Sequence, residues 1–112
     1  MEPLSSAVFH ILLALCDDER HGYGIMQDIA ERTNQQFIMG PGTLYGTLKR
    51  MLEAGRVAES GERPDPRLNE ERRRYYRLTR QGRRAAVSEA ERLRALVDVA
   101  RAKSLLKHRR PA

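Results

Sequence analysis

The chain has 112 residues, 40% hydrophobic and 32% charged, with 21 Lys and Arg against 15 Asp and Glu and a formal charge of +6. That is one small domain, and a domain of this size buries a modest fraction of its surface, so it gains much from a partner subunit. A lone Cys16 excludes an internal disulfide framework and any multi-cysteine zinc or iron–sulfur set. No run approaches the roughly 18 apolar residues of a membrane span, and Met1 to Ala7 lacks the basic start of a signal peptide; a soluble, cytoplasmic protein without membrane contact is expected.

Leu4, Val8, Ile11 and Leu15 recur at helical spacing, widened by Ala7, Leu12 and Ala14, until Cys16-Asp17-Asp18-Glu19 breaks the pattern. After a turn from Asp17 to Gly22, the residues Tyr23, Ile25, Met26, Ile29 and Ala30 form a second apolar helical face that ends near Thr33-Asn34. Met39-Gly40-Pro41-Gly42 interrupts the chain, and Pro41 suits a first helical turn, where its missing N–H costs nothing. A third helix is predicted from about Gly42 to Ala54, with Leu44, Leu48, Met51 and Leu52 inward and Gly55 as its cap.

Beyond Gly55 the period shortens to two. Arg56-Val57-Ala58-Glu59-Ser60 and Arg74-Tyr75-Tyr76-Arg77-Leu78 read as strands, the second with Tyr76 and Leu78 on one face. Between them Gly61 to Glu71, polar and with two prolines, reads as an exposed, mobile hairpin tip. Thr79 has the character of an N-cap. Residues 80 to 108 read as one long helix on which Ala86, Ala90, Leu93, Val97 and Ala100 fall at 4-3-4-3 spacing, with Leu96 widening the stripe. Such a helix, roughly 40 Å long, exceeds what a three-helix core needs, and much of its apolar face is expected to pack on another chain.

This order describes a mainly α protein with a small β-hairpin: a winged helix-turn-helix over residues 1–79, a C-terminal dimerisation helix over 80–108 and a frayed basic tail at 109–112. A mixed α+β domain of unrelated topology would share the same element list. Residues 72 to 84 hold seven Arg and no acid, a local field suited to a polyanion, though a solvated cationic surface also accounts for such a run.

On the third helix, Gly42, Gly46, Lys49, Arg50 and Glu53 fall on the outer half, flanked by Thr43 and Tyr45. A mid-helix Gly46 costs about 1 kcal/mol relative to Ala, a cost that makes sense where the backbone lies close to a partner such as a major groove. Hydroxyls and free N–H groups near that helix's start can meet phosphates, and Lys49 and Arg50 add charge one turn later. The alternative is a surface helix whose Tyr45 packs sideways on helix two. At the base of the wing, Arg72, Arg73 and Arg74 are placed to meet a DNA backbone or minor groove, with Arg63 and Arg67 assisting at a tip whose charge Glu62, Asp65, Glu70 and Glu71 dilute. Strand alternation should send Arg73 and Arg74 to opposite faces.

His10, His21 and His108 lie in separate elements with no HxxH or HxxxH pair, so neither a metal nor a cofactor is expected. Cys16, beside Asp17 and Asp18, reads as a packing residue rather than a thiolate. No Ser-His-Asp order, phosphate-binding glycine loop or paired carboxylates point to an enzyme.

Three segments carry a resemblance. His21-Gly22-Tyr23-Gly24-Ile25, Gly42-Thr43-Leu44-Tyr45-Gly46-Thr47-Leu48-Lys49-Arg50-Met51 and Tyr75-Tyr76-Arg77-Leu78-Thr79-Arg80-Gln81-Gly82, in that order, resemble the PadR family of bacterial transcriptional regulators. The resemblance implies a homodimeric winged-helix repressor of the branch with a single C-terminal dimerisation helix, reading double-stranded operator DNA through the Gly-Thr-Leu-Tyr helix. It carries over to Thr43, Tyr45 and Lys49 as DNA contacts. The chain departs from the family at Gly46, where Pro is common, and at Met51, where a bulkier residue is common. Having no Trp and no aromatic residue after Tyr76, it is not expected to stack a planar drug at the dimer seam. Whether a small-molecule effector acts on it is left open. The rival reading is a winged-helix protein-interaction or RNA-binding module, which would more often show an apolar anchor where this helix has Gly42, Gly46 and Lys49.

Overall fold

In the computed structural model, which describes residues 2–68 and 72–107, the chain runs α1 (Ser6–Ala14), β1 (Arg20–His21), α2 (Gly22–Arg32), α3 (Pro41–Glu53), β2 (Val57–Pro64), a 3-10 turn (Pro66–Leu68), β3 (Arg72–Leu78) and α4 (Arg80–Ala102). Three of the four helices begin on a side-chain cap, which satisfies an otherwise orphaned N–H. The Ser5 hydroxyl accepts from Val8 N–H at 3.2 Å, His21 Nδ1 from Gly24 N–H at 3.0 Å and the Thr79 hydroxyl from Gly82 N–H at 2.9 Å. In contrast, α3 opens on Gly40 and Pro41 with no side-chain cap bond.

Three helices end in the same left-handed turn, in which the N–H two residues past the cap bonds a carbonyl of the last turn. After α3 it is made by Gly55 at φ 74°, with Arg56 N–H on Met51 O at 2.9 Å. After α2 and α4 it is made without glycine, by Asn34 at φ 52° and Ser104 at φ 63°. The Leu105 N–H bonds Ala100 O at 2.9 Å, so α4 stops at Ala102, short of the predicted residue 108. The 109–112 tail and the far end of that prediction lie outside the described residues.

Ile11 and Leu12 of α1, Ile25 and Ile29 of α2 and Leu44, Leu48 and Met51 of α3 form the core, joined by Val57, Tyr76, Ala85 and Ala86. Ala86, 6% exposed, therefore belongs to its own domain's core and is not available to another chain as the stripe alone suggested. Further along α4 the same apolar face leaves the domain. Leu96, Val97 and Val99 are exposed by 53, 37 and 51%. Among the described residues no helix is long and apolar enough to cross a membrane.

The sheet has strand order β1-β3-β2, one strand more than a hairpin. β1 pairs Arg20 with Tyr76 and His21 with Tyr75; two residues are too few to show a period, so the sequence reads them as a turn. β2 and β3 run from Val57↔Leu78 out to Pro64↔Arg72, longer than predicted, because the outer pairs are held by backbone bonds between polar residues. A bulge between Glu59 and Glu62, with Gly61 at φ 103°, bends this wing.

Candidate nucleic-acid interface

The α3 sequence buries Leu44, Thr47, Leu48 and Met51 and turns Thr43, Tyr45, Lys49 and Arg50 to solvent. Thr47, 1% exposed, satisfies its hydroxyl by donating to the Thr43 carbonyl at 2.7 Å. Gly46 is half-buried, and among the described residues a Cβ there would meet only the Arg50 guanidinium at 3.8 Å, so none of them demands glycine. Among the described residues Lys49 and Arg50 form no ion pair; Arg50 donates to the Thr47 hydroxyl at 3.3 Å. With no cap, the first-turn N–H groups of Gly42 and Thr43 are left to solvent or an anion, at the positive end of the helix dipole.

Tyr45 combines the two alternatives. It is 48% exposed, yet its phenol lies on α2: a Cβ on Gly22 would fall 2.3 Å from Tyr45 Oη. The glycine of the first motif is thus the seat for the tyrosine of the second. The third motif makes a similar close approach. A Cβ on Gly82 would fall 2.0 Å from the Arg56 carbonyl oxygen, and Thr79 Oγ1 and Gln81 Nε2 donate to the Gly55 and Ala54 carbonyls at 2.7 and 3.2 Å. The start of α4 therefore holds the end of α3.

The wing arginines differ in what they can offer. Arg72 is exposed and donates to the Glu62 carbonyl at 2.9 Å, with no acid paired to its charge among the described residues. Arg74 lies between Glu59 and Glu62 at 3.5 and 3.7 Å, so much of its field is cancelled. Arg73 is half-buried, on the opposite side of β3 from its neighbours. Arg63 is not at a free tip: it lies over the Tyr75 ring at 3.6 Å and pairs with Glu19 at 2.9 Å. Arg67 has an 84% exposed side chain and pairs through Nε with Asp65 Oδ1 at 3.4 Å.

The tip itself departs from expectation. Asp65 is 4% exposed rather than part of a loose acidic tip, and His21, 3% exposed, donates Nε2–H to its Oδ2 at 2.8 Å. The proton is assigned to Nε2 because Nδ1 accepts from Gly24 N–H. Asp65 Oδ1 accepts from Arg67 N–H at 3.0 Å. Glu70 and Glu71 lie outside the described residues. The His21 hydrogen bond, then the Arg67 amide, lowers the Asp65 carboxyl to about 2. A depressed carboxyl contributes stability above its unfolded value of about 3.9 and loses it as pH falls through its folded value. The melting temperature of the native chain should therefore exceed that of Asp65→Asn at about pH 5, and the gap should close toward pH 2; a gap unchanged over that range would sink the assignment.

On α4, Ala90, Leu96 and Val97 are exposed and Ala100 is half-buried. Leu93 lines a groove of about 320 Å³ with Leu4, Phe9 and Leu13 of the N-terminal segment. The buried Glu89 carboxylate also lines it, accepting from Leu4 N–H at 3.3 Å and from Arg92 at 2.6 Å.

Apart from Ala86, which lies in the core, the site residues read from the sequence thus fall on three surfaces: the outer face of α3, the wing and the far half of α4. The buried His21–Asp65 pair is not among the residues the sequence singles out. His21 is not a residue type that marks an N-cap in sequence, and nothing local marks Asp65 as its partner.

Comparison with known proteins agrees with this architecture. The Transcriptional regulator PadR-like family matches residues 11–88. An uncharacterized protein of Lysinibacillus sphaericus is 34% identical over 79 residues, covering 64% of this chain and 63% of that relative, so the match spans less than two thirds of the relative's length. A PadR family transcription regulator from Clostridium difficile has a similar fold, with TM-score 0.71 and 23% identity over 88% of this chain and 97% of that one. So does Bacillus subtilis PadR in complex with operator DNA, at TM-score 0.62 and 18% identity over 96% of this chain and 51% of that one. With a match that runs from α1 through the helix-turn-helix and the wing into α4, the chain belongs to the PadR-like family of transcriptional regulators.

Proposed function

We propose that this protein represses transcription as a cytoplasmic homodimer, the 80–108 segments pairing so that two 1–79 domains set their α3 helices in successive major grooves of a pseudo-palindromic operator about 34 Å apart. The observation that carries the reading is the outer face of α3: Thr43, Tyr45, Lys49 and Arg50 exposed beside uncapped N–H groups, with no acid paired to either cation among the described residues. A structural relative seen in complex with operator DNA supports it. Arg72 on the wing supplies a backbone or minor-groove contact, and Arg73 and Arg74 lesser ones. Pairing rests on Ala90, Leu96 and Val97, which a monomer leaves in water, with the half-buried Leu93 and Ala100 beside them. Catalysis has no part in this reading.

Titration of the protein into labelled duplex from upstream of its own gene, against a scrambled duplex and at two salt concentrations, tests it. Preference for the native duplex with affinity falling as salt rises is expected. No binding even at low salt would favour a protein-interaction module instead. Lys49→Ala should weaken operator binding about tenfold, within the roughly 1–3 kcal/mol of a lost contact, with the fold intact by circular dichroism. Unchanged affinity in both Lys49→Ala and Arg50→Ala would remove α3 from the interface.

A further inference from the structure

We propose that His21 and Asp65 form a latch that sets the wing's position relative to α3, which makes both of them positioning residues for operator recognition. The inference rests on the DNA-binding reading above and adds to it how two contact surfaces on separate elements keep a constant spacing.

The two side chains lie 44 positions apart in sequence and meet at 2.8 Å with water nearly excluded. His21 is the point at which three elements join. Its Nδ1 caps α2, its backbone pairs with Tyr75 of β3, and its Nε2–H reaches the wing tip. The next residue, Gly22, seats Tyr45 of α3. Consecutive residues therefore anchor the wing tip and the recognition helix to one place. Without such an anchor the outer wing is a two-stranded ribbon bent at the Gly61 bulge, and isolated ribbons are marginal in water. Pro64 and Pro66 on either side of Asp65 restrict its approach, so little freedom is lost when the latch closes. A second tether, Arg63 to Glu19, joins side chains that are 42 and 43% exposed, and pairs of that kind contribute little. A latched wing presents Arg72 and Arg67 at a set distance from Lys49 and Arg50, which reduces the ordering cost of binding.

Asp65→Ala removes the acceptor, Asp65→Ser leaves a hydroxyl one bond too short to reach the Nε2–H, and Asp65→Asn keeps an amide oxygen for it, in the full chain with folding checked by circular dichroism. Two readouts are taken: the rate of trypsin cleavage after Arg67 in the free protein, and operator affinity across a salt series. Cleavage about tenfold faster in Asp65→Ala and Asp65→Ser is expected, with operator affinity down about tenfold and a slope of log affinity against log salt shallower by about one phosphate contact. Asp65→Asn should return both readouts toward those of the native chain. Native cleavage rates in both latch-breaking variants would overturn the latch. Faster cleavage with unaltered affinity and slope would leave a tether with no part in recognition and overturn the positioning role. Failure of the native protein itself to bind any duplex would instead refute the DNA reading and the recognition role with it.

Discussion

Gly82→Ala should lower the melting temperature by on the order of 10 °C, whereas Gly46→Ala should raise it by a few degrees. Both glycines are helical, and alanine has the better helix propensity by about 1 kcal/mol, so propensity alone predicts a gain at both. The surroundings reverse the sign at one of them. At Gly82 the new methyl would sit 2.0 Å from the Arg56 carbonyl oxygen and 2.9 Å from Leu78 Cδ1. The first of these is backbone and cannot rotate away. Nor can the first turn of α4 slide, because Thr79 and Gln81 tie it to the Gly55 and Ala54 carbonyls and Thr79 N–H bonds Arg56 O at 3.2 Å. Relief must come by separating α4 from the end of α3, at a cost of about 3 kcal/mol or more. At Gly46 the methyl meets nothing nearer than Arg50 Nη1 at 3.8 Å. Thermal melts of the two variants check the contrast; a Gly82→Ala melt within about 2 °C of the native chain would show that the junction can yield. Operator affinity of Gly46→Ala is informative in the other direction, since a stabilised helix that binds DNA less well locates the groove against the backbone at that residue.

Leu96→Asp combined with Val97→Asp should give a monomer whose operator affinity is reduced more than a hundredfold. Both side chains are exposed in the single chain, by 53 and 37%, so charging them removes nothing from the domain's own core. In a dimer they would be covered, and an unpaired carboxylate under a partner costs several kcal/mol. Loss of the dimer also separates two half-site contacts that otherwise act as one, and linked sites exceed single ones by about 10²–10⁴ in affinity. The Leu93→Asp variant is the harsher companion, because Leu93 also lines the groove against Leu4, Phe9 and Leu13. Sedimentation equilibrium reads the assembly state and anisotropy the affinity. An intact dimer in the double variant would move the interface off this face of α4.

Much of the fold is legible before any coordinates. The three core helices start and stop within a residue or two of their predicted bounds, because apolar spacing, Pro41 and Gly55 all act within a single turn. The two wing strands are found, though too short, since the outer part of the hairpin is paired through polar residues that carry no alternation. The overrun of α4 has a specific cause: Ser104 makes the left-handed stop without glycine, so the usual mark is missing. On α3, the outward placement of Thr43, Lys49 and Arg50 follows from the helical period alone.

Other features needed the assembled chain. Ala86 and Ala90 lie on one helical stripe, yet the first is in the core and the second in solvent, because beyond Ala86 the helix meets the rest of its domain through Glu89 and Leu93 rather than through Ala90. Arg72 and Arg74 are alike in sequence and differ in charge available to a ligand, because only Arg74 is flanked by Glu59 and Glu62 across the strand. Asp65 reads as one acid among several at a polar tip until the wing folds back on His21. Periodicity, caps and breakers are properties of neighbours within about one helical turn or one strand pair, and a sequence displays them directly. Which distant groups share a buried hydrogen bond, and which stretch of an apolar stripe meets its own core, depends on closures over tens of residues that no local pattern encodes.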